Sequence, residues 1–296
     1  MGKKIVKVLA IAVCITLIAF VLWFICAFFG NPVSHSLARS SADQYLRENF
    51  SDTDYEIVDS GFDMKTGGYY VDVLSPTSRD SHFIIYCDGL GRYRTNTYDD
   101  VISGYNTFTR LNSDYWNLIK QNLPYAQFDI SIGFGELRAA GYFEVFNYTN
   151  EAGEMKEYTL WEDFGLDISS LILDEEYDVW ELGRDHGKLC IYIHDPEISV
   201  ERAAEVLMEF KAYMDTQGLS FHAIDFYLCE PRNAEGQNAG QRITLYEFLY
   251  SDIREEGLID RIQLHWNIAQ EHSAIQDGLK TEAALLIPYF IEIPEK

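Results

Sequence analysis

The sequence predicts an α+β protein, and three observations support this fold class. An uncharged apolar segment near the N-terminus predicts a membrane helix. A helix followed by strand-like pieces predicts a helix-plus-antiparallel-meander domain, and a later strand-helix-strand pattern predicts a second, α/β-type domain containing a β-α-β unit. At 296 residues the chain is long enough for two ordinary domains. We therefore expect a cytoplasmic tail at 1–4, a transmembrane anchor at 5–29, a helix plus antiparallel sheet domain at 30–123 and a C-terminal mixed α/β domain at 124–296.

Composition and charge exclude several classes of protein. The chain is 47% hydrophobic and 15% aromatic, which is too apolar for a disordered protein. Its 23 basic and 47 acidic residues give a formal net charge of −24, and the acidic residues all lie beyond residue 30. Nucleic-acid binders derive their affinity from clustered Lys and Arg. We therefore expect no nucleic-acid partner, whereas small cationic ligands and basic partners stay open.

The N-terminal segment is the strongest sequence signal. From Val8 to Phe29 no residue carries a formal charge, and a helix of this length spans roughly 33 Å, enough to cross a bilayer core. Lys3, Lys4 and Lys7 precede it, so the positive-inside rule places the N-terminus in the cytoplasm and the main domains outside. The alternative is a cleaved signal peptide, but the apolar run is too long and no small-residue cleavage site follows. The prediction is an uncleaved signal-anchor in the cell membrane, crossing it once.

The first domain behind this segment shows one helix and four strands. Residues 34–50 place Ala38, Ala42, Tyr45 and Leu46 on one helical face. Strand-like pieces follow at 55–62, 69–74, 82–87 and 92–95, and Gly-rich turns separate the outer pairs. A second helical pattern covers 110–122. The sequence therefore predicts an antiparallel meander with one sheet face open to solvent.

The second domain contains the β-α-β pattern. A strand at 188–194, a helix at 200–216 and a strand at 221–228 follow one another, with Ser199 as the helix N-cap. Other strands are expected at 127–133, 141–148, 157–161 and 241–249; residues 252–270 are helical or extended, and 283–292 form an apolar stretch. If the two strands of the β-α-β unit are parallel neighbours, Cys190 and Cys229 are offset along the sheet, which excludes a disulfide between them.

Five cysteines are present. Cys14 and Cys26 lie in the predicted span, where they act as small apolar residues. Cys87, Cys190 and Cys229 lie beside apolar strands, and their odd number allows one disulfide at most. The simplest interpretation is three buried free thiols. Paired CxxC or CxxH spacings are absent, so no structural zinc site is expected.

Several segments between Gly30 and Tyr115 resemble the YfjL-like family of bacterial membrane-anchored proteins. The residues that carry this resemblance are Gly30-Asn31-Pro32-Val33-Ser34, Gly67-Gly68-Tyr69-Tyr70-Val71, the run from Ser75 to Phe83, and Tyr98-Asp99-Asp100-Val101. The segment from Glu201 to Asp225 is similar to the C-terminal domain of that family. The resemblance implies two domains with a boundary near 124, and it implies no catalytic residues.

Sequence motifs for nucleotide, serine-hydrolase and metalloprotease chemistry are absent. No Walker A, GxSxG or HExxH run occurs, and Gly133-Phe134-Gly135 lacks the third Gly of a dinucleotide motif because Arg138 stands there. An EF-hand start at Asp52 fails because Ile57 occupies the glycine position. The acidic run 174–178 fits a solvated loop better than a cation site. We expect no bound cofactor and no metal.

Candidate catalytic residues come from the β-α-β unit. His194 and Asp195 follow one strand and Asp225 lies on the next, at the end of a sheet where α/β proteins bind ligands, so they could form an acid–base or metal pair. His186, beside Asp185, is a further candidate. The alternative is a solvated loop histidine, with Asp195 leading into the helix.

The leading functional hypothesis is a non-enzymatic, membrane-anchored extracytoplasmic binding or interaction module. Its partners would be the membrane, through the N-terminal helix, and another envelope protein or a small ligand. The alternative is a membrane-anchored hydrolase or metal-dependent enzyme with a site near His194 and Asp225. A third possibility is a structural or folding-associated envelope protein without a small ligand.

Overall fold

The computed structural model describes residues 2–140, 146–149, 155–158, 164–233, 236 and 240–270. The chain divides into two compact units. The first contains residues up to Thr109 together with Ser169–Glu175, and the second contains Arg110–Ile168 and the chain from Glu176 onward. The prediction of an apolar stretch at 283–292 lies outside the described residues. The α+β composition is confirmed, because one sheet is antiparallel and another is mixed.

The transmembrane prediction is wrong. Residues 5–29 belong to a helix, α1 (Gly2–Phe29). A bilayer span requires about 20 consecutive, predominantly apolar helical residues. In the part of the chain that the structure describes, no helix reaches the length and hydropathy needed to cross a membrane. This finding contradicts the transmembrane anchor in the predicted fold, and it likewise contradicts the single-pass location in the cell membrane.

The first unit contains the predicted helix and four-stranded meander. The strands are hydrogen-bonded in sequence order, and each neighbouring pair is antiparallel. One face of α2 packs on the sheet through Ala38, Ala42 and Leu46, against Val71, Val73 and Ile85 among others. The elements are α2 (Pro32–Asn49), β1 (Glu56–Asp63), β2 (Gly68–Leu74), β3 (His82–Cys87), β4 (Tyr93–Asn96) and α3 (Asp99–Ile102).

The start of α2 is tied to the sheet by one tyrosine. The Tyr69 hydroxyl accepts a hydrogen bond from the Asn31 backbone N–H at 2.6 Å and donates one to the Asn31 carbonyl at 3.0 Å. The Asn31 side chain caps the helix, and Pro32 occupies its first turn. Gly30 has φ +75°, and a Cβ there would lie 2.9 Å from the Tyr69 hydroxyl oxygen. Glycine is therefore required at position 30 by a left-handed turn packed against aromatic rings.

The second unit is built on a mixed sheet with the strand order β10-β9-β8-β5. The β-α-β prediction is confirmed, because β8 and β9 are parallel neighbours joined through α7. Ile191 and Phe226 are register partners, and both are fully buried. The elements are α4 (Tyr105–Asn122), which begins in the first unit, α5 (Tyr125–Phe128), β5 (Ile130–Leu137), β6 (Phe146–Thr149), β7 (Met155–Tyr158), α6 (Val179–His186), β8 (Gly187–His194), α7 (Val200–Thr216), β9 (Ala223–Cys229), β10 (Arg242–Leu249) and a helix at 258–270.

Two sequence predictions in this unit need adjustment. The strand expected at 127–133 begins later, because residues Tyr125–Phe128 form the short helix α5 after Pro124 and the strand starts at Ile130. Asp129, with φ +47°, makes the turn between them. The strands expected at 141–148 and 157–161 lie only partly within the described residues, where β6 and β7 pair antiparallel.

The open face of the first sheet carries an unfavourable pair of charges. Asp59 on β1 and Asp72 on β2 are direct register partners. Burial raises the pKa of Asp72 above its ordinary value, and the nearby Asp59 carboxylate raises it further. An acid whose pKa is raised in the folded state loses stability as the pH rises through that pKa.

We expect Asp72→Asn to raise the free energy of unfolding at pH 7 by about 0.5 kcal/mol, because like charges directly opposite destabilise a strand pair. The gain should disappear near pH 3, where the Asp72 carboxyl, whose pKa is raised, is protonated. Denaturant unfolding of the full chain at both pH values measures this. Asp52→Asn, at an exposed loop position of the same unit, is the control. It should leave the free energy of unfolding unchanged at both pH values. Equal stability of Asp72→Asn and wild type at pH 7 would contradict the prediction.

Candidate functional site

His194 lies at the end of β8 with both ring nitrogens hydrogen-bonded. Nδ1 lies 3.1 Å from the Glu230 carbonyl oxygen, and Nε2 lies 2.8 Å from the Ser131 hydroxyl. A carbonyl can only accept, so Nδ1 carries a proton and donates it to Glu230, while Nε2 and the Ser131 hydroxyl form the second hydrogen bond. Both ring nitrogens of His194 therefore already have hydrogen-bond partners within the protein.

Asp195 is occupied in anchoring the loop before α7. Its Oδ2 accepts from the Arg202 guanidinium at 2.9 Å, and its Oδ1 accepts from the Glu197 backbone N–H at 2.9 Å. This pairing favours the charged form of the guanidinium and raises the pKa of Arg202. The carboxylate therefore holds the connection between β8 and α7.

Asp225 and His186 lie away from His194. Asp225 is the register partner of Cys190, and Cys229 is the register partner of His194. Four residues along a strand correspond to roughly 13 Å, so the structure does not bring His194 and Asp225 together. His186 ends α6, where its Nδ1 lies 2.6 Å from the Phe164 carbonyl oxygen.

Metal and thiol chemistry find no support in these residues. Among the described residues, no group of three or more His, Cys, Asp or Glu side chains could hold a metal ion. Cys87, Cys190 and Cys229 are buried free thiols, and the register separates Cys190 from Cys229 by four residues. Burial raises the pKa of Cys87 to about 11 and that of Cys190 to about 12. These thiols are therefore protonated and unreactive at neutral pH.

The structure instead brings Asp225 into a buried charge network on one face of the second sheet. The Lys188 ammonium lies 3.0 Å from Asp225 Oδ2 and 3.0 Å from Glu247 Oε1. The Arg138 guanidinium lies 2.9 Å from the same Glu247 oxygen. Burial alone would lower the pKa of Lys188, but the two carboxylates outweigh it and raise that pKa. The network therefore contains two cations and two anions that balance one another.

Glu247 enters the network through a distortion of β10. The register of β10 against β9 shifts between Leu245 and Phe248, and Glu247 has φ +43°. Its backbone N–H donates to Asp225 Oδ1 at 2.8 Å, and its side chain is only 3% exposed. Burial raises the pKa of Glu247, whereas the neighbouring Lys188 and Arg138 lower it in part. A β-bulge of this kind redirects a side chain, here into the sheet face.

β5 forms the opposite edge of this sheet. Two hydrogen bonds show which of its backbone groups face β8 and which face outward. The Arg138 N–H donates to the His186 carbonyl, toward β8, whereas the Leu137 N–H donates outward to Asn112 Oδ1 at 2.7 Å. Backbone groups of an antiparallel strand alternate in direction. Gly135 and Gly133 therefore direct their N–H and C=O groups outward, as Leu137 does, and make no hydrogen bond there to any described residue.

A groove of about 420 Å³ runs along this edge, between β5 and α4. Gly135 lies buried at its floor, and Trp116 on α4 is 36% exposed. We call it the β5 groove; its lining residues are Asn112, Ser113, Trp116, Asn117, Phe134, Gly135 and Glu136. Buried main-chain groups without partners are uncommon in folded proteins, so this edge is suited to a ligand that supplies hydrogen bonds.

The glycines of the β5 groove result from close packing. A Cβ at Gly135 would lie 2.9 Å from Ile119 Cγ1, and a Cβ at Gly133 would lie 2.8 Å from Leu123 Cδ1. Glycine inside a strand is a signal of close backbone approach. The run Gly133-Phe134-Gly135 is therefore the sequence signal for this edge, whereas its likeness to a dinucleotide motif ends at Arg138. Arg138, which breaks that motif, is the cation that pairs with Glu247.

We expect Lys188→Met to lower the free energy of unfolding by about 3 kcal/mol at pH 7, because it leaves Asp225 and Glu247 buried without their shared cation. Lys188 lowers the pKa of Glu247 in part, so that pKa would rise further without it, and the loss of stability should shrink as the pH falls toward 4. Denaturant unfolding of the full chain measures both effects. Lys120→Met removes an exposed lysine and should change stability by about 0.5 kcal/mol or less. If Lys188→Met lowers the free energy of unfolding equally at all pH values, the loss of stability comes from packing and not from charge.

Comparisons with known proteins agree with the two-part organisation. The model of the YfjL-like N-terminal domain matches residues 5–100, and the model of the YfjL-like C-terminal domain matches residues 117–263. Neither a curated protein nor a solved structure matches the chain. The two domain models together cover most of the sequence, as the resemblance in the first domain and at 201–225 implied. The chain therefore belongs to the YfjL-like family.

Proposed function

We propose that the chain is a non-enzymatic binding module that takes up an extended polypeptide segment along the β5 groove. The observation that carries this proposal is the outward direction of the N–H and C=O groups of Gly133 and Gly135, which have no hydrogen-bond partner among the described residues. An extended segment placed beside β5 would pair with these groups and add one strand to the sheet. Strand addition of this kind obtains its affinity from main-chain hydrogen bonds.

The lining of the β5 groove suits a polypeptide. Trp116 offers a partly exposed indole ring, and Asn117 and Ser113 offer exposed polar side chains from the same helix. Tryptophan is enriched among the residues that dominate binding energy at protein interfaces. Asn112 ends the open edge, because its side-chain oxygen already accepts the Leu137 N–H. The available edge is therefore short, which favours a short segment over a whole sheet.

A second groove in the first unit is larger but less favourable. It has a volume of about 620 Å³ and lies along α2 and the start of β1. Its arginines already have partners within the unit, since Arg47 pairs with Asp43 and the Arg39 guanidinium donates to the Ser60 hydroxyl. Acidic residues and a bulge also interrupt β1, and these features protect an edge strand from pairing.

We expect Trp116→Ala to weaken peptide binding at least tenfold, because it removes the aromatic contact beside the open edge. The probe is a peptide selected from a random short-peptide library against the full chain, and titration calorimetry measures its affinity. Trp180→Ala is the matched control, since Trp180 is also 36% exposed in the same unit but lies outside the groove.

N-methylation along the selected peptide tests the strand pairing itself. Methyl groups at alternate peptide nitrogens should abolish binding, and those at the intervening positions should be tolerated, because only every second N–H of an added strand faces β5. A library that yields no binder, or binders insensitive to both Trp116→Ala and N-methylation, would overturn the proposed function.

A further inference from the structure

The β5 groove contains a carboxylate that has no ion-pair partner among the described residues. Glu136 is half-buried, lines the groove, and forms no salt bridge with any residue in the described part of the chain. We propose that the segment bound along β5 is cationic and places a Lys or Arg side chain against Glu136. This inference rests on the proposed function. It adds the charge of the partner and the residue that recognises this charge, Glu136.

The buried charge network explains why Glu136 has no ion-pair partner in the part of the chain that the structure describes. Lys188 is its direct register partner on β8, in a position where a cross-strand ion pair would normally form. The Lys188 ammonium is instead held 3.0 Å from both Asp225 and Glu247. Because the bulge brings Glu247 to the Lys188 ammonium, this cation does not pair with Glu136. A cation from outside the chain can complete the pair.

The geometry of an added strand places the partner side chain beside Glu136. The backbone groups of Glu136 point toward β8, so an antiparallel strand on the outer edge would face it as a non-hydrogen-bonded pair. In such pairs the Cα atoms are about 4.5 Å apart and the side chains approach closely. A lysine or arginine at that position can reach the Glu136 carboxylate without leaving the strand.

Charge complementarity favours a cationic partner. The chain as a whole carries a formal charge of −24, which attracts cationic segments and repels acidic ones. Glu136 is the one charged residue that lines the groove among the described residues. The Lys120 ammonium beside the groove is already held 4.5 Å from the centroid of a Trp116 ring. Glu136 and the overall charge therefore favour the same kind of partner.

The test uses the random peptide library, the full chain and charge exchange. Selected peptides should be enriched in Lys or Arg at one position of the pairing register. Replacing that residue by Gln, or Glu136 by Gln, should each weaken binding about fivefold, and the two changes together should weaken it no further. Glu136→Lys should reject the cationic peptide and bind the version with Glu at that position. Glu209→Gln, on the exposed side of α7, is the control and should leave affinity unchanged.

The outcomes separate this inference from the proposed function. If peptides bind with the alternating N-methylation pattern but show no charge preference and no response to Glu136→Gln, the groove is a strand-addition site and the cationic partner is wrong. If binding requires a cation but ignores N-methylation, Glu136 acts at a surface patch and the strand pairing is wrong. Self-association of the chain through β5, detected by ultracentrifugation and lost in Trp116→Ala, would replace the foreign peptide with a second copy.

Discussion

The second unit depends on one buried interaction, the pairing of Lys188 with Asp225 and Glu247. Together with Arg138, which follows β5, these residues connect every strand of the mixed sheet. Removing four charged groups from water is costly, and it is tolerated because each cation meets a carboxylate at about 3 Å. The left-handed backbone of Glu247 is part of that arrangement, because the bulge supplies the carboxylate that Arg138 and Lys188 share.

The same interaction shapes the edge of the sheet. Because Lys188 turns toward Asp225 and Glu247, its register partner Glu136 has no ion pair with any described residue at the β5 groove. The close packing of α4 on Gly133 and Gly135 adds the other property of this edge, since it brings a helix with an exposed tryptophan alongside main-chain groups that point outward. The close packing of the core requires glycine at this edge, and the charge network uses the cation next to Glu136. The resulting surface therefore offers hydrogen-bonding groups and a negative charge.

Local sequence patterns predicted most of the fold. The helix at 200–216, with Ser199 as its N-cap, and the strands of the meander match the structure because their periodicity and turn residues act within a few neighbours. The strand predicted from 127 was displaced because Pro124 is followed by one helical turn and a left-handed Asp129. Residues 5–29 do form a helix, but among the described residues no helix is long and apolar enough to cross a membrane, so the predicted span was wrong.

The sequence by itself determined most of the secondary structure, the β-α-β pattern and the family, because these follow from short-range patterns. Only the tertiary structure decided which charges meet. Residues 138, 188, 225 and 247 lie far apart in the chain, and no periodicity signals that a bulge would turn Glu247 inward. It also decided that His194 and Asp225 stay apart and that Gly133 and Gly135 face an open edge, because strand register and hydrogen-bond direction arise only when distant strands pair.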